Sequence, residues 1–239
     1  MKIVFLTGAG VSKESGLDTF RDTKDGLWNN YNVMEVATPN GWKNDREQVI
    51  DFYTLRKKDN DKAEPNEAHK FIAELEKDHE VVVITQNIDD LHERAGSTNV
   101  IHVHGSINEA QSSLDPKLKY TLQELGIEEG YFKIGTKCEK GSQVRPNVVW
   151  FGEIPYRLEE AYNHAYTADL FVTIGTSFQV STAFNIISFL QKGTDSIIID
   201  PSDFGSISSE LEHFPVEKYF NEHIKEPATI GIKKILDYV

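Results

Sequence analysis

The sequence predicts a doubly wound α/β fold, a parallel sheet covered on both faces, with a smaller second domain of helices and loops. Three observations predict it. Five short runs are β-branched and almost continuously apolar: "IVFLT" (3–7), "VVVIT" (81–85), "VIHVH" (100–104), "LFVTI" (170–174) and "SIIID" (196–200). Parallel strands buried on both faces have that composition. Helical patterns separate several of these runs, as strand–helix alternation in an α/β sheet requires. Two stretches, 22–64 and 106–147, break the rhythm and read as excursions. The implied division is 1–21 plus 65–105 plus 146–239 for the large domain, and 22–64 plus 106–145 for the small one.

The chain has 239 residues, enough for one sizeable domain with a small insert. Its net charge of −13 opposes a phosphate backbone, so no nucleic acid is expected as a partner. An acidic surface attracts cationic peptides weakly at physiological salt, and solubility alone accounts for the same charge. No apolar run approaches a bilayer span, and "MKIVFLTGAG" lacks the features of a signal peptide, so the expectation is a cytoplasmic protein without a membrane partner. The single cysteine, Cys138, excludes an intramolecular disulfide and a multi-cysteine zinc site.

The first strand runs directly into "LTGAGVSKESG" (6–16). Small residues let a backbone approach a phosphate closely, and a helix starting there offers free N–H groups and a positive dipole end. A tight strand-to-helix turn would use the same glycines. In the first excursion, "DFYTLRKKD" (51–59), run as a helix from about Glu47, places Val49, Phe52, Tyr53 and Arg56 within one arc. A buried guanidinium needs an anion; snorkelling to water or pairing with Asp59 or Glu47 are the alternatives. "PNEAHKFIAELEKD" (65–78) starts a helix at Pro65 and Asn66, with Ala68, Phe71, Ile72 and Leu75 on one face.

The second strand ends in "TQNID" (85–89), two amides and a carboxylate where ligands of open α/β sheets bind. Capping of the following helix by Asn87 or Asp89 is the competing reading. The third run ends in His104 and Gly105, with His102 on the same face. A histidine there could serve as a general base near neutral pH or be purely structural. The second excursion holds a weak helix, "KLKYTLQELG" (117–126). "GTS" (175–177) follows the fourth strand and suits a phosphate or ribose, or an ordinary turn. "STAFNIISFLQKG" (181–193) is a helix stopped at Gly193. Asp200 closes the last run, where a carboxylate often binds ribose hydroxyls and where a cap is equally natural.

Taken together and in order, G-A-G-x-S-x-x-S-G, "TFR" (19–21), "TQNID", "HG" (104–105), "RPNVVWFGE" (145–153) and "GTS" resemble the sirtuins, the NAD-dependent protein lysine deacylases. The resemblance covers nearly the whole chain. It is nearest to the bacterial deacylase branch, with "DGLW" (25–28), "VATP" (36–39) and Tyr-x-x-Arg at 53–56.

The resemblance implies a Rossmann-like large domain, a small domain of helices plus a zinc module, and NAD meeting an acyl-lysine protein or peptide in the cleft. The products would be deacylated lysine, nicotinamide and O-acyl-ADP-ribose. Carried over, Gly8, Ala9 and Gly10 cradle the diphosphate with Ser12 nearby, and Phe20 and Arg21 belong to a cofactor loop. Gln86, Asn87 and Asp89 serve the ribose and nicotinamide end, with Asn87 and His104 catalytic and His104 the general base. Gly175, Thr176, Ser177, Asp200 and Ala228 line the adenosine side; Asp200 stands where many sirtuins have asparagine. Phe151, Gly152 and Val180 flank a peptide that adds as an extended strand.

Tyr53 and Arg56 match residues that recognise the carboxylate of succinyl- or malonyl-lysine, and Ala37 matches a roomy acyl pocket. Most sirtuins carry two CxxC zinc pairs. Here the first is missing after Gly105, and Cys138 lies out of register with the expected positions, Lys137 and Lys140. No zinc is expected, with a helix near 117–125 burying Leu118, Tyr120, Leu122 and Leu125 in its place. An NAD glycohydrolase or ADP-ribosyltransferase would use the same cofactor residues but leave Tyr53 and Arg56 without a purpose. A non-catalytic NAD-binding module is the reading from another class.

Overall fold

The protein is described from a computed structural model covering residues 1–18, 31–127, 130–203 and 215–239. The positions 19–30, which include Phe20, Arg21 and "DGLW", lie outside the described residues. The strands in chain order are β1 (Lys2–Thr7), β2 (Glu80–Thr85), β3 (Val100–His102), β4 (Gly105–Ser112), β5 (Lys119–Thr121), β6 (Val144–Val148), β7 (Leu170–Ile174), β8 (Asp195–Ile199) and β9 (Glu222–Ile224). One sheet has the order β3-β2-β1-β7-β8-β9, and its paired strands are parallel. The other, β5-β4-β6, is antiparallel.

The large sheet feeds two cores, because successive side chains of a strand point to opposite faces. Ile3, Phe5, Val83, Val172 and Ile197 face one side, with Ala68, Ile72 and Leu75 of a helix at Glu67–Leu75. Val4, Leu6, Val82, Phe171 and Ile198 face the other, with Ala161 and Ala165 of a helix at Leu158–Tyr166 and Ile186 and Ile187 of one at Ser181–Ile187. This is the expected doubly wound sheet. A third core joins the helix Arg46–Lys62 to the small sheet, through Val49, Phe52 and Tyr53 against Ile107, Ala110, Val148 and Trp150. Among the described residues no helix is long and apolar enough to cross a membrane.

Local chemistry sets the helix starts. Asp45 caps Arg46–Lys62 by accepting from the Gln48 N–H at 2.9 Å. Asn66 caps Glu67–Leu75, and His69 Nδ1 accepts the Asn66 N–H at 3.3 Å, a reciprocal box.

Four expectations are corrected. "KLKYTLQELG" is not a helix. Tyr120 pairs with Ala110 in β5, and the Glu124 carboxylate takes the Thr121 N–H and hydroxyl at 2.7 and 2.9 Å. Side-chain bonds to the local backbone compete with helix formation there. Leu122 is still buried, and Tyr120 and Leu125 are partly so, reached from a strand and turns. The small lobe therefore contains a sheet as well as helices and loops. The glycine motif starts no α-helix; it forms two single 3-10 turns, Ala9–Val11 and Lys13–Ser15. The third run leaves its strand after His102, because Gly105, at φ +82°, turns the chain into β4. Helix Ser181–Ile187 stops before Gly193, where the Ser188 hydroxyl donates to the Asn185 carbonyl at 2.7 Å.

Candidate active site

Parallel register aligns the carboxyl ends of the strands. Thr7 stands opposite both Thr85 and Ile174, and Ile174 stands opposite Ile199. Gly8, Gln86, Gly175 and Asp200, the residues just beyond those ends, open onto one edge. Strand order reverses at β1, between β2 and β7, which makes this edge a topological switch point. A cavity of about 1030 Å³ lies there. Every nominated site residue that is described lines it, from Gly8 and Ala37 to Asp200 and Ala228.

The glycines are needed for backbone approach. A Cβ on Gly10 would sit 2.6 Å from the Gly175 Cα. Gly175 itself has φ +62°, in the left-handed region. Tying the two loops together also consumes donors. The Gly8 N–H donates to the Ile174 carbonyl at 3.0 Å and the Gly10 N–H to the Gly175 carbonyl at 2.9 Å. Val11 and Ser12 N–H close their own turns onto Gly8 and Ala9. Among the described residues, the N–H groups of Ala9 and Thr176 are left without a backbone partner at this edge. Gly8 and Gly10 thus shape the crevice, and Ala9 with Thr176 supplies donors for an anion.

Deeper in, Asn87, Ser12 and Asp89 form a relay. The Asn87 amide donates to the Gly8 carbonyl at 3.2 Å and to Ser12 Oγ at 3.1 Å. Ser12 Oγ donates to Asp89 Oδ2 at 3.0 Å, while Asp89 Oδ1 accepts the Leu91 N–H at 3.2 Å. Burial pushes the Asp89 carboxyl up, and the bonds from Leu91 and Ser12 partly offset it. His69, pushed down to about 4 by burial, sits beneath, with Nε2 3.5 Å from Ser12 Oγ. Its Nδ1 accepts from Asn66, so Nε2 carries the hydrogen. The Gln86 amide donates to Thr176 Oγ1 at 3.0 Å, bridging the two halves of the crevice.

The two neighbouring histidines have different hydrogen-bond surroundings, and their pKa values shift in opposite directions. His104 Nδ1 lies 3.0 Å from the Gln86 carbonyl, which only accepts, so Nδ1 carries the hydrogen and Nε2 the lone pair. Burial pushes its pKa below the ordinary histidine value. Nε2 is 3.3 Å from the Thr182 hydroxyl and lies on the cavity wall. A neutral imidazole whose Nε2 lone pair faces the cavity, approached by the Thr182 hydroxyl as donor, can accept a proton. His102, expected on the same face, is held away by the Asn87 carbonyl at 3.1 Å and the Glu93 carboxylate at 2.7 Å. Both partners accept, so both ring nitrogens donate. Burial alone would lower its pKa; Glu93 outweighs that, and the net shift is upward.

Tyr53 and Arg56 line the same cavity, one helical turn apart. Trp150 Nε1–H donates to the Tyr53 hydroxyl oxygen at 3.1 Å. An indole can only donate, so the Tyr53 O–H is left to donate in its turn. Burial raises the Tyr53 pKa and keeps the phenol protonated. Burial lowers that of Arg56, and the charges of Asp89, Asp59 and Asp18 oppose this, Asp89 most strongly. Neither Glu47 nor a pairing with Asp59 alone describes its surroundings. Ala37 is tied to the far wall, its carbonyl accepting the Phe151 N–H at 2.9 Å.

Trp150, Thr182 and His69 were not singled out in the sequence. Trp150 lies beside the nominated Phe151, in "RPNVVWFGE", and that proximity was its only signal. It is held by Arg145, whose guanidinium stacks 3.8 Å from its ring, and by Glu153, which accepts the Trp150 N–H at 2.9 Å and pairs with Arg145 at 2.5 Å.

In the small lobe, Cys138 Sγ is 3.1 Å from Ser142 Oγ, which is 2.7 Å from Ser112 Oγ. Lys140 pairs with Asp115 at 2.8 Å. Two hydroxyls and one thiol do not make the nitrogen and sulfur donor set of a structural zinc. Among the described residues, no group of three or more His, Cys, Asp or Glu is gathered to hold a metal.

A family model, that of the Sir2 family, matches residues 8–182. The NAD-dependent protein deacylase of Bacteroides thetaiotaomicron is 43% identical over 224 residues, covering 94% of this chain and 95% of that protein. The protein of the same name from Helicobacter pylori is 44% identical over 199 residues, 83% of this chain and 84% of that one. A solved Sir2 homologue in complex with NAD has a TM-score of 0.81 at 36% identity, covering 99% of this chain and 88% of its own.

Proposed function

The chain belongs to the Sir2 family, and from that premise we infer that its cavity takes NAD beside an acylated lysine and that the enzyme removes acyl groups from proteins, acidic acyl groups included. When bound, NAD supplies the ribosyl carbon that receives the acyl oxygen as nicotinamide leaves. The residues fit that group: Ala9 and Thr176 offer amide donors, Asp200 an acceptor for hydroxyls, and Asn87 and Asp89 a polar pair at the buried end.

His104 Nε2 takes the proton of a ribose hydroxyl, and the Gln86 carbonyl keeps that nitrogen unprotonated until it does. Asn87 is held in place by Ser12 and Gly8 and orients the reacting end. The peptide lies between the loop of Phe151 and Gly152 and the wall at Val180. Its acyl chain points past Ala37 toward Tyr53 and Arg56. One water is consumed overall, and the products are deacylated lysine, nicotinamide and O-acyl-ADP-ribose.

The observation that carries the acyl preference is the Tyr53–Arg56 pair on the wall of the cavity that also holds His104. Arginine presents a planar fork that fits a carboxylate, and the tyrosine O–H adds a second donor. The test is NAD-dependent turnover of matched acetyl-, malonyl- and succinyl-lysine peptides. All three are expected to turn over, the acidic ones with the lower KM. Nicotinamide release without any peptide would instead support a glycohydrolase.

The small lobe holds together without zinc, its turns closed by Ser112, Cys138 and Ser142 and by the Asp115–Lys140 pair. Elemental analysis is expected to find no stoichiometric zinc, and a chelator to leave the unfolding midpoint unchanged. One zinc per chain would overturn this.

A further inference from the structure

The successive carbonyls of residues 85–88 are all taken by the segment that runs from β3 into β4. The Thr85 carbonyl accepts the Val103 N–H at 3.0 Å, and the Ile88 carbonyl accepts the Ile107 N–H at 2.8 Å. The two carbonyls between them are held by imidazoles instead. His104 Nδ1 holds Gln86 at 3.0 Å, and His102 Nδ1 holds Asn87 at 3.1 Å. His104 presents its Nε2 to the cavity, whereas His102 places its Nε2 2.7 Å from the Glu93 carboxylate, on the helix Leu91–Ala95. His102 is not among the described residues of the cavity wall.

Asn87 is therefore held at both ends. Its amide donates to Gly8 and Ser12, and its carbonyl accepts from His102. One imidazole serves two acceptors only with a hydrogen on each nitrogen. Loss of either hydrogen sets a lone pair against the Asn87 carbonyl or the Glu93 carboxylate. Glu93 and His92 face the ring from the helix, and Asp89 from the loop after β2. Burial raises the Glu93 carboxyl, the His102 bond outweighs it, and the net shift is downward. Burial holds His92 well below the ordinary histidine value, so it carries no charge near neutral pH. At the start of β3, Arg157 donates to the Val100 carbonyl at 3.1 Å and is paired with Glu160. Burial pushes Asp89 up, and the charge of His102, like that of Arg56, opposes this.

We propose that His102 is a positioning residue of the deacylation, a doubly protonated imidazole that holds Asn87 by its carbonyl and is itself held by Glu93, so that turnover needs His102 charged while His104 is neutral. This rests on the reading of Asn87 and His104 as the catalytic pair. His102 is off the cavity wall and acts through Asn87. Its pKa is raised, against burial, by Glu93, the Asn87 carbonyl and Asp89. The hold on Asn87 is therefore complete below that pKa and is lost as pH rises through it. His104 is shifted the other way and sets the acidic limb. The two histidines then bracket the working pH from opposite sides.

The pH profiles of kcat and kcat/KM for an acetyl-lysine peptide, at saturating NAD, test this. Wild type is expected to show a basic limb above about pH 6.5, the ordinary histidine value. Glu93→Gln keeps an acceptor for Nε2 and removes the charge, so the limb should move down by about one pH unit. His102→Asn keeps an amide donor near the Nδ1 position and cannot titrate. It should lower kcat about tenfold on the acidic side of the limb, leave the peptide KM within about threefold, and abolish the limb. A histidine that only supports the fold would move the unfolding midpoint of His102→Asn and leave the limb of Glu93→Gln in place. A wild-type profile without a basic limb, or a limb at the same pH in Glu93→Gln, overturns the proposal and leaves the deacylase reading intact. Wild type that turns over no acyl peptide overturns both. Imidazole NMR titration of wild type guards against variants that do not fold: His102 should titrate above about 6.5 and His104 below it, and the reverse order overturns the proposal.

Discussion

His104→Ala is expected to lower kcat by about 10³-fold, within the range general-base catalysis supplies, while leaving NAD affinity within a few-fold. The expectation rests on two contacts. The Gln86 carbonyl fixes the hydrogen on Nδ1, and the Nε2 lone pair is on the cavity wall, where only the Thr182 hydroxyl approaches it among the described residues. The pH profile separates a base from a structural histidine. Burial lowers the His104 pKa, so the neutral, active form persists below pH 6.5 and is lost only as pH falls further. The acidic limb of kcat/KM should therefore lie below 6.5 in wild type and vanish from the residual activity of His104→Ala. If the variant keeps more than a tenth of wild-type kcat, another group takes the proton.

Arg56→Met is expected to raise KM for succinyl- and malonyl-lysine peptides by about 100-fold, the loss of close to 3 kcal/mol that a charge-assisted bond can supply. Acetyl-lysine should change by no more than a few-fold. Methionine retains much of the apolar stem of the side chain and removes the guanidinium, so the change is chiefly one of charge and hydrogen-bonding capacity. A second result is informative. Asp89 is the acid that most stabilises the Arg56 charge, and Arg56 in turn holds the Asp89 carboxyl lower than burial alone would. If all three peptides lose activity equally, Arg56 acts on Asp89 and the relay to Ser12 and Asn87, and does not read the acyl group. Selective loss means that it does.

The large sheet was legible because its signal is local. A buried parallel strand needs apolar side chains on both faces, and runs such as "VVVIT" meet that condition whatever surrounds them. The cofactor edge was legible for the same reason: residues after each run fall at the carboxyl ends of parallel strands, so Gly8, Gln86, Gly175 and Asp200 had to meet once the strands paired. Helix starts at Asp45 and Asn66 were set by caps within a few residues. "KLKYTLQELG" misled because its apolar spacing satisfies a helix, while the pairing of Tyr120 with Ala110 lies outside any window read along the chain. The small lobe, expected as helices and loops, also contains the sheet β5-β4-β6, whose pairing is equally non-local.

Residue order decided which groups reach the cavity; the tertiary structure decided what each can do there. Gly10 was readable as a residue without a side chain, but only its contact with Gly175 shows that its N–H is spent on the protein and that Ala9 and Thr176 carry the free donors. His104 was readable as a candidate base, but its tautomer depends on the Gln86 carbonyl. Tyr53 was readable as a hydroxyl, but it becomes a donor because Trp150, remote in sequence, supplies the hydrogen its oxygen accepts. The reason is common to all three. A side chain's chemical type is a property of the residue, whereas the direction of a hydrogen bond and the protonation state it enforces belong to the partner, and partners are assigned by folding.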